Sequence, residues 1–429
     1  MYKSNGILLI AFFLLFTIMA CNRSSQLKLI GKRVFVEPPE KGLCVTAGTI
    51  NYTSLTDKTL LHTYGVMHRS DTADRAYRRW SYDNGRTWTE PDTIQTGFPF
   101  DGGVKRVYST SLYLEPRTGR LIEFFIIGNL SNDDPLDGLR KWVIHYRIST
   151  DGGKTFDELR PILHEGTEFT PEHPLPNVWT GKNSAMNPCC RPITIHTGEV
   201  LLACQISPMD SNGNLYNPTG GYTYHYTAIL IGKWDEDETD LHWILSDSVQ
   251  VGPEQSTRGA IEGTLSELEP GKILLIMRGS NDSNPQLPGH KWMSHSTDNG
   301  RTWTKPVPWT YTNGQTFYSP SSCSYLVRHQ RTKKLYWFGN ISSENPRGNS
   351  PRYPLVIAEV DQKKLALKRE TVLIIDTRGE GDGERLQLSN FAVYEDRATT
   401  DFIVISNRWG QDADNPWYSP AFIYRIQVL

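Results

Sequence analysis

One eight-residue phrase occurs three times in the chain: Ser81-Tyr-Asp-Asn-Gly-Arg-Thr-Trp88, Ser149-Thr-Asp-Gly-Gly-Lys-Thr-Phe156 and Ser296-Thr-Asp-Asn-Gly-Arg-Thr-Trp303. Ser, Asp, Gly, Thr and an aromatic residue keep fixed offsets in all of them. The Asp carboxylate accepts backbone N–H groups across a tight turn, and the Gly takes φ > 0 without a Cβ clash. Thr and the aromatic then favour an immediate return to strand. A phrase repeated at long spacing marks units of an array, so it constrains the architecture before any single residue does.

A second pattern, strand–polar turn–strand, recurs at 48–66, 111–127, 192–207, 263–277, 324–341 and 391–407. The period, on the order of 60 to 80 residues, suits a four-stranded blade with long loops. Where the eight-residue phrase occurs it follows such a hairpin, which places it between third and fourth strands. The expected fold is all-β, a six-bladed β-propeller of four-stranded antiparallel blades, with residues 22–429 as a single unit. A pair of β-sandwiches is the alternative that the regular spacing disfavours. The final strand, 421–427, is expected to pair within the last blade or to close the ring with residues 27–36.

Residues 1–20 carry one lysine and then an apolar run from Ile7 to Met19. This reads as a secretory signal, too short and wrongly flanked to span a membrane. It ends in Ile18-Met-Ala-Cys21, which resembles a bacterial lipobox. The expectation is a signal over 1–21, lipidation of Cys21, and a bacterial envelope protein touching membrane only through that anchor. The outer membrane, periplasmic face, is preferred to the cell surface because no acidic run follows Cys21. The remaining cysteines, Cys44, Cys189, Cys190, Cys204 and Cys323, are odd in number and lack zinc-type spacing. They read as buried free thiols with one bridge at most, and no metal is expected. A net charge of -2 argues against a nucleic-acid partner. No phosphate loop or Rossmann glycine pattern points to a cofactor.

In an up-and-down blade, residues before strand one, at the end of strand two and in the following loop gather at one end. By this rule Glu262, entering a strand, and Arg278, leaving its partner, meet at the open end of one hairpin, with Arg258 just upstream. The loop His68-Arg-Ser-Asp71-Thr-Ala-Asp74 belongs to the same face, as do Tyr64 before it and the Pro-rich segment bearing Arg347 and Arg352. Two arginines held by prolines suit bidentate recognition of a carboxylate or sulfate. Tyr318-Ser-Pro-Ser-Ser-Cys323 enters the same blade and adds hydroxyls or a stacking face.

The three phrases resemble the Asp boxes, or BNR repeats, of the sialidase superfamily, whose catalytic members are six-bladed propellers. The resemblance extends over the chain after Cys21. It implies that Asp83, Asp151 and Asp298 are structural turn aspartates, that Asp71 is an acid/base residue, and that Glu262 is the family's glutamate. Arg278 and Arg352 match the second and third arginines of a carboxylate-binding triad. Two positions depart from the pattern. The segment Gly42-Leu-Cys-Val-Thr-Ala47 lacks the first triad arginine, and Arg385-Leu-Gln-Leu-Ser-Asn-Phe391 lacks the nucleophilic tyrosine, with Tyr394 a poor substitute. Three functions stay open. One is a divergent exo-glycoside hydrolase acting on an acidic sugar of sialic or uronic type, with Asp71 and Glu262 as its carboxylate pair and Arg278, Arg352, Arg347, Arg258, His68 and Tyr318 binding substrate. The second is a polysaccharide lyase using His68 or Tyr64 as base, and the third a glycan-binding lipoprotein without activity.

Overall fold

The computed structural model describes residues 26–429, so the signal and the lipobox Cys21 lie outside the described residues. Six antiparallel sheets follow one another around a ring as the blades of a propeller. Each expected hairpin forms two paired neighbouring strands near the start of a blade, blade 2 carrying an extra strand, Gly97–Phe100, ahead of its hairpin. Blade 1 holds Thr49–Tyr52, Leu60–Met67, Arg75–Ser81 and Asp92–Gln95; blade 2 holds Gly103–Leu114, Leu121–Ser131, Val143–Ser149 and Arg160–Pro161. Blade 3 opens on two short strands, Ala185–Met186 and Ile193–Thr194, that share Val200–Ile206, followed by Tyr226–Trp234 and Leu241–Leu245. Blade 4 is Ile261–Glu269, Lys272–Arg278, Lys291–Ser296 and Val307–Pro308; blade 5 begins Tyr325–Arg328, Leu335–Asn340, Leu355–Asp361. Blade 6 joins Ala392–Glu395, Phe402–Asn407 and Ala421–Val428 to the N-terminal Leu27–Val36.

That last sheet closes the ring. Ala421–Val428 lies between Phe402–Asn407 and Leu27–Val36, with Leu27 opposite Val428 and Val36 opposite Ala421. Both expectations for the final strand therefore hold at once. The second strands are buried on both faces and largely apolar, with buried polar exceptions such as His62, Glu123 and Gln205, and their side chains alternate between two seams. Ile273, Leu275 and Met277 pack toward blade 3, while Leu274 and Ile276 pack toward blade 5. Leu335 and Trp337 likewise face blade 4, and Tyr336 and Phe338 face blade 6.

The three repeated phrases all connect third to fourth strands and share one bonding scheme. Asp298 Oδ1 accepts the Arg301 and Thr302 N–H groups (3.1 and 2.9 Å), and its Oδ2 accepts the Thr302 hydroxyl at 2.6 Å. Ser296 Oγ accepts the Gly300 N–H at 2.9 Å, and Gly300 sits at φ +83°. Asp83 with Thr87, and Asp151 with Thr155, repeat the arrangement. Hydrogen bonds from the Thr87 backbone and hydroxyl hold Asp83 down at about 2. Blade 3 has a degenerate copy that the phrase search passes over: Asp235 accepts the Thr239 N–H and hydroxyl at 2.7 and 2.9 Å.

Candidate functional site

Chain geometry delivers charged residues to the end of the ring away from these turns. Register pairs Ile261 with Arg278 and then skips at a bulge, so Glu262 leaves the ladder with φ +49°. Its Oε1 accepts a hydrogen bond from Arg278 Nη1 at 2.5 Å, and both residues are buried, 8% and 7% exposed. Ser321 then links two arginines. Its hydroxyl accepts from Arg278 Nε at 2.7 Å, and its carbonyl accepts from Arg352 Nε and Nη2 at 2.9 and 2.7 Å. Asn349 Oδ1 takes Arg278 Nη2 at 3.2 Å, and Gln387 Oε1 takes Arg352 Nη1 at 2.9 Å.

Arg258 supplies a third buried guanidinium. Its Nε and Nη2 donate to Thr223 Oγ1 (3.2 and 2.7 Å), and the Tyr222 ring lies 5.4 Å from its centre. Tyr222 in turn donates its hydroxyl to Asp71 Oδ2 at 3.3 Å, which ties the blade 1 loop to the cluster. Burial alone pushes the Glu262 carboxyl up, but Arg278 first, then Arg352 and Arg258, outweigh it and hold the group below its ordinary value. Burial, reinforced by Arg278, lowers Arg258 and Arg352 to about 10 each. Each guanidinium carries five N–H donors; three on Arg278, three on Arg352 and two on Arg258 are engaged by the protein.

Other sequence candidates stand apart. Asp71 is exposed, accepts from Ser70 at 3.0 Å and sits at φ +58°. His68 is exposed and paired through Nδ1 with Asp74 at 2.7 Å, and Asp74 also faces Arg106 at 3.5 Å. Tyr64 is buried and stacked on Tyr77, 5.4 Å between rings, which removes it as an accessible base. Arg347 and Tyr318 are exposed and enter none of the cluster's hydrogen bonds among the described residues. Tyr394 packs against Tyr52 between blades 6 and 1, outside the cluster. A cavity of 620 Å³ along blade 3, lined by Trp179, Met209 and Tyr226 among others, holds none of the candidate residues.

Several site groups escape sequence reading. Lys291, 1% exposed and opposite Arg278 in the ladder, donates from Nζ to the Ser322 carbonyl; burial lowers it to about 7. Cys189 and Cys323 converge on Glu262, the three ligand atoms lying within 4.8 Å of one another. All described cysteines are free thiols, and Cys189 is only partly buried, unlike the other four. The one usable signal is position: Cys189 lies between the opening strands of blade 3, Ser321 and Cys323 precede the first strand of blade 5, and Gln387 and Asn390 precede that of blade 6.

No protein-family model and no curated protein matches the chain. Solved structures do. They include the Hadza microbial sialidase Hz136 (TM-score 0.59, 15% identity, covering 90% of this chain and 66% of that one). Trypanosoma rangeli sialidase in complex with the inhibitor DANA (TM-score 0.57, 13%) is matched over 93% of this chain and 60% of its own. The NanB sialidase from Streptococcus pneumoniae (TM-score 0.58, 13%) is matched over 92% and 70%. This chain has the six-bladed propeller fold of those sialidases. It spans 66% and 60% of the first two of those proteins, and at such identities the likeness concerns the fold. The cluster's third arginine is Arg258, just before blade 4, while the 42–47 segment contains no arginine.

Proposed function

We propose that the protein is a divergent, sialidase-like exo-glycoside hydrolase that removes an acidic sugar, of sialic or uronic type, from glycan ends. The observation that carries this reading is the convergence of three buried arginines on one ionised glutamate at one end of the ring. Buried guanidiniums with N–H donors to spare form a ready site for a carboxylate, because planar anions accept their bonds in pairs. Arg278, Arg352 and Arg258 take that role, and the partner is a glycan carrying an anionic sugar. Glu262, held ionised by those same cations, acts on the sugar as base or nucleophile. Asp71, positioned by Tyr222, is the proton donor to the leaving oxygen. Two carboxyl groups across a scissile bond are the common requirement of glycosidases, and their separation sets the stereochemical outcome. His68, paired with Asp74, and Arg347 are exposed and take the outer substrate contacts. An anchor on Cys21, facing the periplasm, would place this activity at the cell envelope.

The test is a screen of the full chain against acidic glycans, following reducing ends and ultraviolet absorbance together. New reducing ends without an absorbing double bond are expected. Glu262→Gln and Asp71→Asn should each lower kcat/KM by about 100-fold or more. Full activity in both variants, or products carrying the double bond of a lyase, would refute the assignment.

A further inference from the structure

Glu262 has an unexplained half. Its Oε1 is taken by Arg278, but its Oε2 is buried and has no hydrogen-bond partner among the described residues. A buried carboxylate oxygen without a partner is costly and calls for a ligand. Two thiols face it. Cys189 lies between the two short opening strands of blade 3 and Cys323 just precedes blade 5, and their sulfurs with a Glu262 oxygen form a triangle with no edge above 4.8 Å. Asn390 Oδ1 lies 3.9 Å from Cys189 Sγ and 3.7 Å from Cys323 Sγ, so it caps the same point from blade 6.

We propose that Cys189, Cys323 and Glu262 form a binding site for a thiophilic divalent metal ion, zinc by the chemistry of its donors. Two sulfurs and one carboxylate oxygen are a borderline-soft set that suits Zn²⁺ and excludes magnesium or calcium. Zinc–sulfur and zinc–oxygen bonds of about 2.3 and 2.0 Å put tetrahedral ligands about 3.5 Å apart. Closing a 4.8 Å triangle to that size takes about 1 Å of movement, within reach of thiol and carboxylate rotation. Three protein ligands leave a fourth position for water or a further donor. Arg278 grips the other carboxylate oxygen and so orients the ligand, as outer partners of metal sites do.

Charge does not oppose occupancy. Two neutral thiols with one carboxylate carry -1, and after binding releases both thiol protons to solvent, two thiolates, the carboxylate and the ion also sum to -1. The residual negative charge lies among Arg278, Arg352 and Lys291, each of which interacts electrostatically with Cys323. The site does not depend on the hydrolase reading. The two meet at one atom, since a Glu262 oxygen held by metal is not free to act on a sugar: the zinc-loaded form is the inactive one, and the glycan screen reads the chelator-stripped form.

The experiment is metal analysis of the full chain, purified in detergent under reducing conditions, stripped with a chelator and re-equilibrated with Zn²⁺ alone. One zinc per chain is expected. The Cys189→Ser/Cys323→Ser double variant should retain none, Glu262→Gln should weaken binding about tenfold or more, and Cys204→Ala should bind as wild type. Co²⁺ in place of Zn²⁺ should give a thiolate charge-transfer band, which decides the matter on wild-type protein should the variants fail to fold. Zinc content unaffected by the double substitution, a cobalt spectrum without that band, or a Cys189–Cys323 disulfide in the isolated protein would overturn the proposal.

Discussion

Replacing Arg278 with Met tests the electrostatic account of the cluster directly. Arg278 makes hydrogen bonds to Glu262, Ser321 and Asn349 (2.5, 2.7 and 3.2 Å), and it is the largest influence holding the Glu262 carboxyl down against burial. Without it, Glu262 is a buried carboxylate with neither oxygen bonded by its former partner. Breaking one side of a buried ion pair costs about 3–5 kcal/mol. Arg352 and Arg258 remain nearby, so the lower part of that range, about 3 kcal/mol, is expected at pH 7. The deficit must depend on pH. With burial unopposed by Arg278, the folded carboxyl rises above its ordinary 4.5. The folded variant then keeps a proton that its unfolded chain has released. Its deficit against wild type is therefore smallest below pH 4.5, grows as pH rises from 4.5 toward the raised value, and levels off above it. The Arg278→Met/Glu262→Gln double variant should recover about 2 kcal/mol relative to the summed single effects. Denaturant unfolding followed by fluorescence of the chain's 12 tryptophans, at pH 5 and pH 7, measures all of these quantities. A deficit under about 1 kcal/mol, one that does not change with pH, or strictly additive single effects would refute the reasoning.

Asp298→Ala should cost about 1–2 kcal/mol through the lost turn bonds while leaving glycan turnover unchanged, checked by urea unfolding beside the activity assay. His62 and His225 are buried and lowered by that burial to about 3, from 6.5. Stability from both is fully present above pH 6.5 and lost as pH falls toward 3, at about 2.7 kcal/mol per pH unit for two protons. His225→Leu should halve that slope in acid unfolding curves. Deleting residues 26–36 strips the partner from Ala421–Val428 and leaves an open sheet edge. The truncated chain should lose its single cooperative transition and associate, as seen by calorimetry and size-exclusion chromatography.

Much of this molecule is written locally. Six hairpins, three aspartate turns and the strands that alternate between two seams follow from patterns a few residues long, since strand period and turn chemistry act between near neighbours. The topological rule that gathers strand starts and strand ends at one end of a ring also sufficed to bring Glu262 and Arg278 together. What the pattern leaves open is which of many residues at that end touch. Arg258, held by Thr223 and Tyr222, joins the cluster through its electrostatic interaction with Glu262 and Arg278, Asp71 reaches Arg258 through the Tyr222 hydroxyl, and His68 turns aside to Asp74. Cys189 and Cys323 come from different blades to meet at Glu262. Such contacts are decided by ring closure and by competition for buried partners, which act between residues far apart in the chain. Local chemistry therefore determined the blades, and packing around the ring determined which arginines, carboxylates and thiols share a site.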